Sequence, residues 1–174
     1  MRKSLGVAAM VCLLGLPAVS GAAQFCQSET EIPASTPTTR FSDHGDGTVT
    51  DNETGLMWAQ CTEGLSGAGC AAGYADGYVW QAALDLAAGS RLADHTDWRL
   101  PNVKELFSIL ERQCARPAIN TAVFPNTPAS GFWSASPSVN YSAGAWLVDF
   151  TRGEASDNYN RGDTSRVRLV RLGQ

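Results

Sequence analysis

The chain has 174 residues, with 13 Lys and Arg against 17 Asp and Glu, a net charge of −4 at neutral pH and 2 His. That acidic balance excludes a protein dominated by nucleic-acid binding, because neutralising phosphates needs a net basic face. Two histidines leave little acid–base capacity near neutral pH.

Arg2 and Lys3 open the chain, and Leu5 to Leu16 form an apolar run too short to span a bilayer. Pro17 and the small residues Ser20, Gly21, Ala22 and Ala23 follow. This is the anatomy of a cleaved secretory signal, so residues 1–23 are expected to leave. The remainder fits one domain. It keeps 11 basic and 17 acidic residues, a net charge of −6. No second apolar segment follows, so no membrane span is expected in the mature chain. Basic residues gather late, at Arg161, Arg166, Arg168 and Arg171, which leaves room for a local basic patch.

Cys12 departs with the signal. Cys26, Cys61, Cys70 and Cys114 remain. An even number in an exported chain reads as two disulfides, and four cysteines allow three pairings. Cys61 and Cys70 flank Gly64, Gly67 and Gly69, a flexible loop that closes locally. That leaves Cys26 with Cys114. Zinc is the poorer reading, since no Cys-x-x-Cys pair is present.

Residues 24–39, rich in Ser, Thr, Pro and Glu, read as a linker or a loosely draped arm, with the folded domain over 40–174. Phe41, Thr48-Val49-Thr50 and Leu56-Met57-Trp58, separated by turns, predict a β-meander. Tyr78 to Ala88 reads as a helix with Trp80, Ala83, Leu84 and Ala87 on one face. A second helix begins at Asn102. Pro101 resists helix before it, and Glu105 stands three residues after Asn102, the spacing of a capping box. The apolar period predicts that this helix runs to about Gln113. Residues 114–131 read as an irregular loop. Phe132 to Ser134 and Trp146 to Phe150 read as strands, 155–165 as a polar loop, and Arg166 to Leu172 as a closing strand. The class is α+β, with N- and C-terminal strands in a shared antiparallel sheet and two helices.

Several motifs then fall into one order: Asp46-Gly47-Thr48-Val49-Thr50-Asp51, Thr54-Gly55-Leu56-Met57-Trp58, a helix led by Trp80, and Asp97-Trp98-Arg99-Leu100-Pro101-Asn102 before Lys104-Glu105-Leu106. Pro117 to Asn120, Phe124-Pro125-Asn126-Thr127, Phe132-Trp133-Ser134 and Val167 to Arg171 complete it. In this order the chain resembles the Legionella collagen-like protein C-terminal (Lcl C-terminal) domain family. The resemblance implies a C-type-lectin-like fold and a non-catalytic module, secreted, periplasmic or on the cell surface of a bacterium. The Trp98 segment also resembles a motif of formylglycine-generating sulfatase-modifying enzymes. Their chemistry needs reactive thiols late in the chain, and no cysteine follows Cys114.

No other catalytic pattern is present, neither Gly-x-Ser-x-Gly nor His-Glu-x-x-His. No cofactor or metal is expected. Asp43, Asp46 and Asp51 invite a calcium reading, but Asp-Gly turns need such residues for backbone reasons alone. Arg161-Gly162-Asp163 spells an integrin-type tripeptide, for which a solvated turn is the simpler account. The candidate binding residues are Asn140 and Tyr141 in one segment, with Asp157, Asn158, Tyr159, Asn160 and Arg161 in another. Tyr and Asn are adaptable contact residues of binding loops. The expected partner is an extracellular glycan, glycosaminoglycan or protein, with an envelope structural subunit as an alternative reading.

Overall fold

The computed structural model describes residues 23–173. Apart from Ala23, the expected signal lies outside them. The fold is α+β, and its strands form two main sheets. Strands β2 (Phe41–Asp43), β3 (Thr48–Asp51) and β4 (Leu56–Ala59) make the predicted meander. The last strand, β11 (Val170–Leu172), adds antiparallel to β4, giving the order β11-β4-β3-β2. The first and last parts of the domain therefore do share one antiparallel sheet. The second sheet is β10-β9-β8, built from β8 (Gly131–Pro137), β9 (Gly144–Asp149) and β10 (Glu154–Asn160). Two short ladders complete the set: β1 (Phe25–Cys26) with β7 (Cys114–Ala115), and β5 (Leu65–Ser66) with β6 (Ala72–Gly73).

Helix α1 (Trp80–Gly89) starts later than its pattern predicts. The N–H and C=O of Tyr78 are both taken by Ser165 in an antiparallel bridge, so Tyr78 cannot enter the helix. Helix α2 (Val103–Ser108) stops well short of Gln113. Leu110 bridges to Ile119, and the Glu111 N–H goes to the Ala118 carbonyl. Ile109 and Leu110 remain buried, so the apolar rhythm continues although the helix does not. The 155–165 segment is not a loop throughout. Most of it is edge strand β10, whose residues alternate too little in polarity to announce a strand.

The capping box forms as its spacing predicts. Asn102 Oδ1 accepts the N–H groups of Lys104 and Glu105, both at 2.9 Å, and Glu105 Oε2 accepts the Asn102 N–H at 2.8 Å. Arg99 grips the same carboxylate with two bonds of 2.7 Å. Burial pushes the Glu105 carboxyl up, but Arg99 and the Asn102 N–H outweigh it and hold it below its ordinary range.

Both disulfides close, Cys61 with Cys70 and Cys26 with Cys114. Cys114 sits on β7, opposite Cys26, rather than at a helix end. The arm over 24–39 is also fastened by Glu111. One oxygen accepts the Ser35 N–H and hydroxyl at 2.9 and 3.0 Å, and the other those of Thr36 at 2.8 and 2.9 Å. The Thr36 residue is buried.

Two apolar clusters make the core. One gathers Val49, Trp58, Leu106, Ile119, Phe124 and Phe150 between the sheets. The other places Trp98, Leu100, Trp133, Leu147 and Leu169 under α1. Between them runs Arg168, with no exposed surface. Nη1 donates to the Ala59 carbonyl at 2.8 Å and to that of Gln60. Nη2 donates to the Thr62 and Thr127 hydroxyls at 3.2 and 2.6 Å. The Phe124 ring lies 4.7 Å from the guanidinium carbon. Burial pushes the guanidinium down to about 9, with the Glu63 charge opposing, so it stays charged at neutral pH.

Asp51, like Arg168, has no exposed surface. It takes two bonds from Arg40, one of 2.7 Å, together with the Glu53 N–H at 3.1 Å and the Thr54 hydroxyl at 2.7 Å. Burial pushes its carboxyl up, yet these donors hold it below the ordinary carboxylate range. A lowered carboxyl contributes stability that is complete above its unfolded value and is lost as pH falls through its folded value. Asp51→Asn is therefore expected to flatten the acid limb of stability against pH. It should also cost about 3–5 kcal/mol at neutral pH by removing the buried counter-ion of Arg40 and leaving it only the exposed Glu53 carboxylate at 3.1 Å, measured by urea unfolding across the acid range. Arg168→Lys keeps the charge but loses the planar fork. It is expected to cost about 2–4 kcal/mol, since buried acceptors lose their donors, measured by the same method at neutral pH.

Candidate functional site

The β8–β9 connection and the end of β10 meet. Ser138 is buried at the start of the connection. Its hydroxyl oxygen accepts the N–H groups of Asn140 and Tyr141 at 3.2 and 3.0 Å, which curls the loop. The same hydroxyl donates to Asp157 Oδ2 at 3.1 Å, and the Asn140 side-chain amide reaches that oxygen at 3.1 Å. Asn160 donates to the Tyr141 hydroxyl at 2.9 Å. The Tyr141 ring lies on Gly144, where a Cβ would stand only 2.4 Å from a ring carbon. Only glycine permits that seat.

Arg161 closes the face. Its N–H goes to the Ala143 carbonyl at 2.9 Å and its Nε to the Gly144 carbonyl at 2.8 Å. Its guanidinium carbon lies 4.4 Å from the Trp80 ring centre. The Trp80 Nε1 in turn donates to the Ser134 carbonyl at 2.8 Å, which fixes the ring against β8. A cation stacked and bonded in this way is a structural fastener, so the first member of the Arg-Gly-Asp tripeptide is already engaged.

Of the candidate residues, Asn140, Tyr141, Asp157, Asn160 and Arg161 are thus brought into one bonded group. Asn158 and Tyr159 lie beside them on β10. The Asn158 side-chain Oδ1 accepts the Ser156 hydroxyl. Outward display falls to Asn158, Tyr159, the rim of Tyr141 and Val139, the last of which is 89% exposed. A register irregularity between Ser156 and Tyr159 interrupts the pairing with β9 here.

The late arginines do not build a basic patch. Long-range partners turn two of them inward: Arg168 is buried on the Ala59 and Gln60 carbonyls, and Arg171 is buried with its Nε on Asp97 at 2.7 Å. The aspartates near the first turn are also engaged. Asp43 accepts the Gly45 N–H at 2.8 Å, Asp46 accepts the Thr48 N–H and hydroxyl at 3.0 and 2.6 Å, and Asp51 holds Arg40. Among the described residues no three His, Cys, Asp or Glu side chains gather as metal ligands.

A cleft of about 700 Å³ lies elsewhere, between the Asp46 turn, the end of β4, the Cys61–Cys70 loop and the segment after α1. Its walls come from three separated stretches, 43–47, 59–69 and 90–92, and in the sequence only the glycine spacing between Cys61 and Cys70 hinted that a loop would fold back there. Gln60 ties two walls together, its N–H donating to the Gly47 carbonyl at 2.9 Å and its side-chain amide to Asp43 at 3.3 Å. Asn126 holds the far wall through the Gly69 carbonyl at 2.8 Å.

No curated protein matches the chain at a significant level. The family model described as the Lcl C-terminal domain matches residues 47–171. That span takes in both main sheets from β3 onward, the β8–β10 face and the cleft apart from Asp43, Gly45 and Asp46. With most of its length so matched, and with the ordered motifs in their structural places, the chain belongs to the Lcl C-terminal domain family.

Proposed function

We propose that this protein is an exported, non-catalytic recognition domain on a C-type-lectin-like frame. It binds an extracellular glycan, glycosaminoglycan or protein through the β8–β9 loop and strand β10. The observation that carries this reading is the convergence of two segments, distant in the chain, into one fastened group that presents Tyr159 and Asn158 outward. Tyr supplies rigid contact area at low entropic cost, and a pre-ordered face loses less freedom on binding. Two disulfides support export to an oxidising compartment, secreted, periplasmic or at the cell surface. Among the described residues no helix is long and apolar enough to cross a membrane. The rival reading, an oxidase of the sulfatase-modifying type, gains nothing from the cysteines, since all four described are in disulfides.

Screening the mature chain against arrays of glycans, glycosaminoglycans and envelope or matrix proteins tests the reading. The double variant Asn158→Ala, Tyr159→Ala is expected to weaken the strongest interaction at least tenfold, about 1.4 kcal/mol, with the unfolding midpoint unchanged. Wild-type affinity in that variant, or no ligand in any class, rejects it.

A further inference from the structure

The cleft shares no lining residue with the β8–β10 face, and its chemistry differs. Every ionisable side chain on its walls is acidic: Asp43, Asp46 and Glu63. Asp43 and Asp46 are occupied by their own turns, as described above. Glu63 is not. Among the described residues its carboxylate has neither a hydrogen-bond donor nor an ion-pair partner, although the residue is partly buried and its N–H is fixed to the Val167 carbonyl at 3.0 Å. Burial pushes the Glu63 carboxyl up, with the charge of Arg168 behind the wall countering it. The carboxylate is partly open to the cleft, so a ligand there can reach it.

The walls are also held in place before any ligand arrives. Arg168 clamps the carbonyls of Ala59 and Gln60, the Cys61–Cys70 disulfide closes the loop, and Gln60 spans to the Asp46 turn. The volume falls in the range of small-molecule sites, which are concave, largely preformed and carry few convergent polar groups. Gln60, Ser66 and Ser90 add neutral donors and acceptors around the one wall carboxylate that lacks a hydrogen bond.

We propose that this cleft is a second ligand site, which binds a small ammonium-bearing molecule with Glu63 as its counter-ion. A primary ammonium supplies three donors together with a positive charge, and so gives the Glu63 carboxylate the direct hydrogen-bonded partner it lacks among the described residues. Amino sugars and aliphatic diamines share this group, and neutral sugars do not.

The test follows backbone amide signals of the isotopically labelled mature chain during titration with D-glucosamine, putrescine and D-glucose in parallel. At least one amine should shift the amides of Glu63, Gln60 and Ser90 saturably, while glucose shifts them at least tenfold more weakly. A response to glucosamine alone assigns an amino sugar, and a response to putrescine alone assigns an aliphatic amine. Glu63→Gln, close to isosteric, should weaken that binding at least tenfold. Ser66→Arg, an exposed change that places a cation at the cleft, should abolish it and guards against a folding defect in the first variant. Glucose acting as strongly as the amines, no shift with any probe, or unchanged amine binding in both variants overturns the assignment. None of these outcomes touches the β8–β10 face, whose variant is read separately.

Discussion

The Arg168 guanidinium is the point on which the architecture turns. It contacts the end of β4 through Ala59 and Gln60, the disulfide loop through Thr62, and the 124–127 segment through Thr127. Thr127 passes the link on by donating to the Phe124 carbonyl at 2.7 Å, and the Phe124 ring covers the cation. These segments contribute backbone carbonyls and hydroxyls that would otherwise be buried without donors. One planar cation with several N–H groups satisfies them together, where an apolar side chain would strand them. The charge remains because neutral acceptors and an aromatic face replace its water, with Glu63 near enough to assist.

The same device recurs at smaller scale. Asp51 organises the turn after β3 and fastens Arg40, Glu111 fastens Ser35 and Thr36, and Glu105 serves both the α2 cap and Arg99. Each carboxylate joins segments that short elements could not hold alone. The α2 helix has 6 residues and α1 has 10, and helices of such length are marginal without tertiary partners. In a fold with little regular helix, buried polar fasteners take over work that long amphipathic helices do elsewhere.

This economy shapes the surface. Arginines that might have formed a basic patch point inward to serve as fasteners, and the exterior stays acidic. What the β8–β10 face presents is therefore polar and aromatic rather than cationic. The cleft beside the Cys61–Cys70 loop is a by-product of the same fastening. Arg168 draws the carbonyls of its wall inward, and Glu63 lines the cleft with no hydrogen-bond donor on its carboxylate among the described residues.

The chain itself determined the local features. The capping box at Asn102, the meander around Thr48 and Trp58, both disulfide pairings and the α+β class were legible because each rests on spacing within a few residues or on cysteine count. The candidate residues 140–141 and 157–161 were also legible as types, through their Tyr and Asn content. Tertiary structure decided the rest. The α2 helix ends at Ser108 because Leu110 and Glu111 bond to residues 118–119, and β10 is a strand because β9 offers it an edge. Arg168 and Arg171 looked like surface charges, since nothing near them in sequence supplies the carbonyls and carboxylate they meet. Periodicity and capping are properties of neighbours along the chain, whereas a buried charge is permitted only by partners that folding brings from far away.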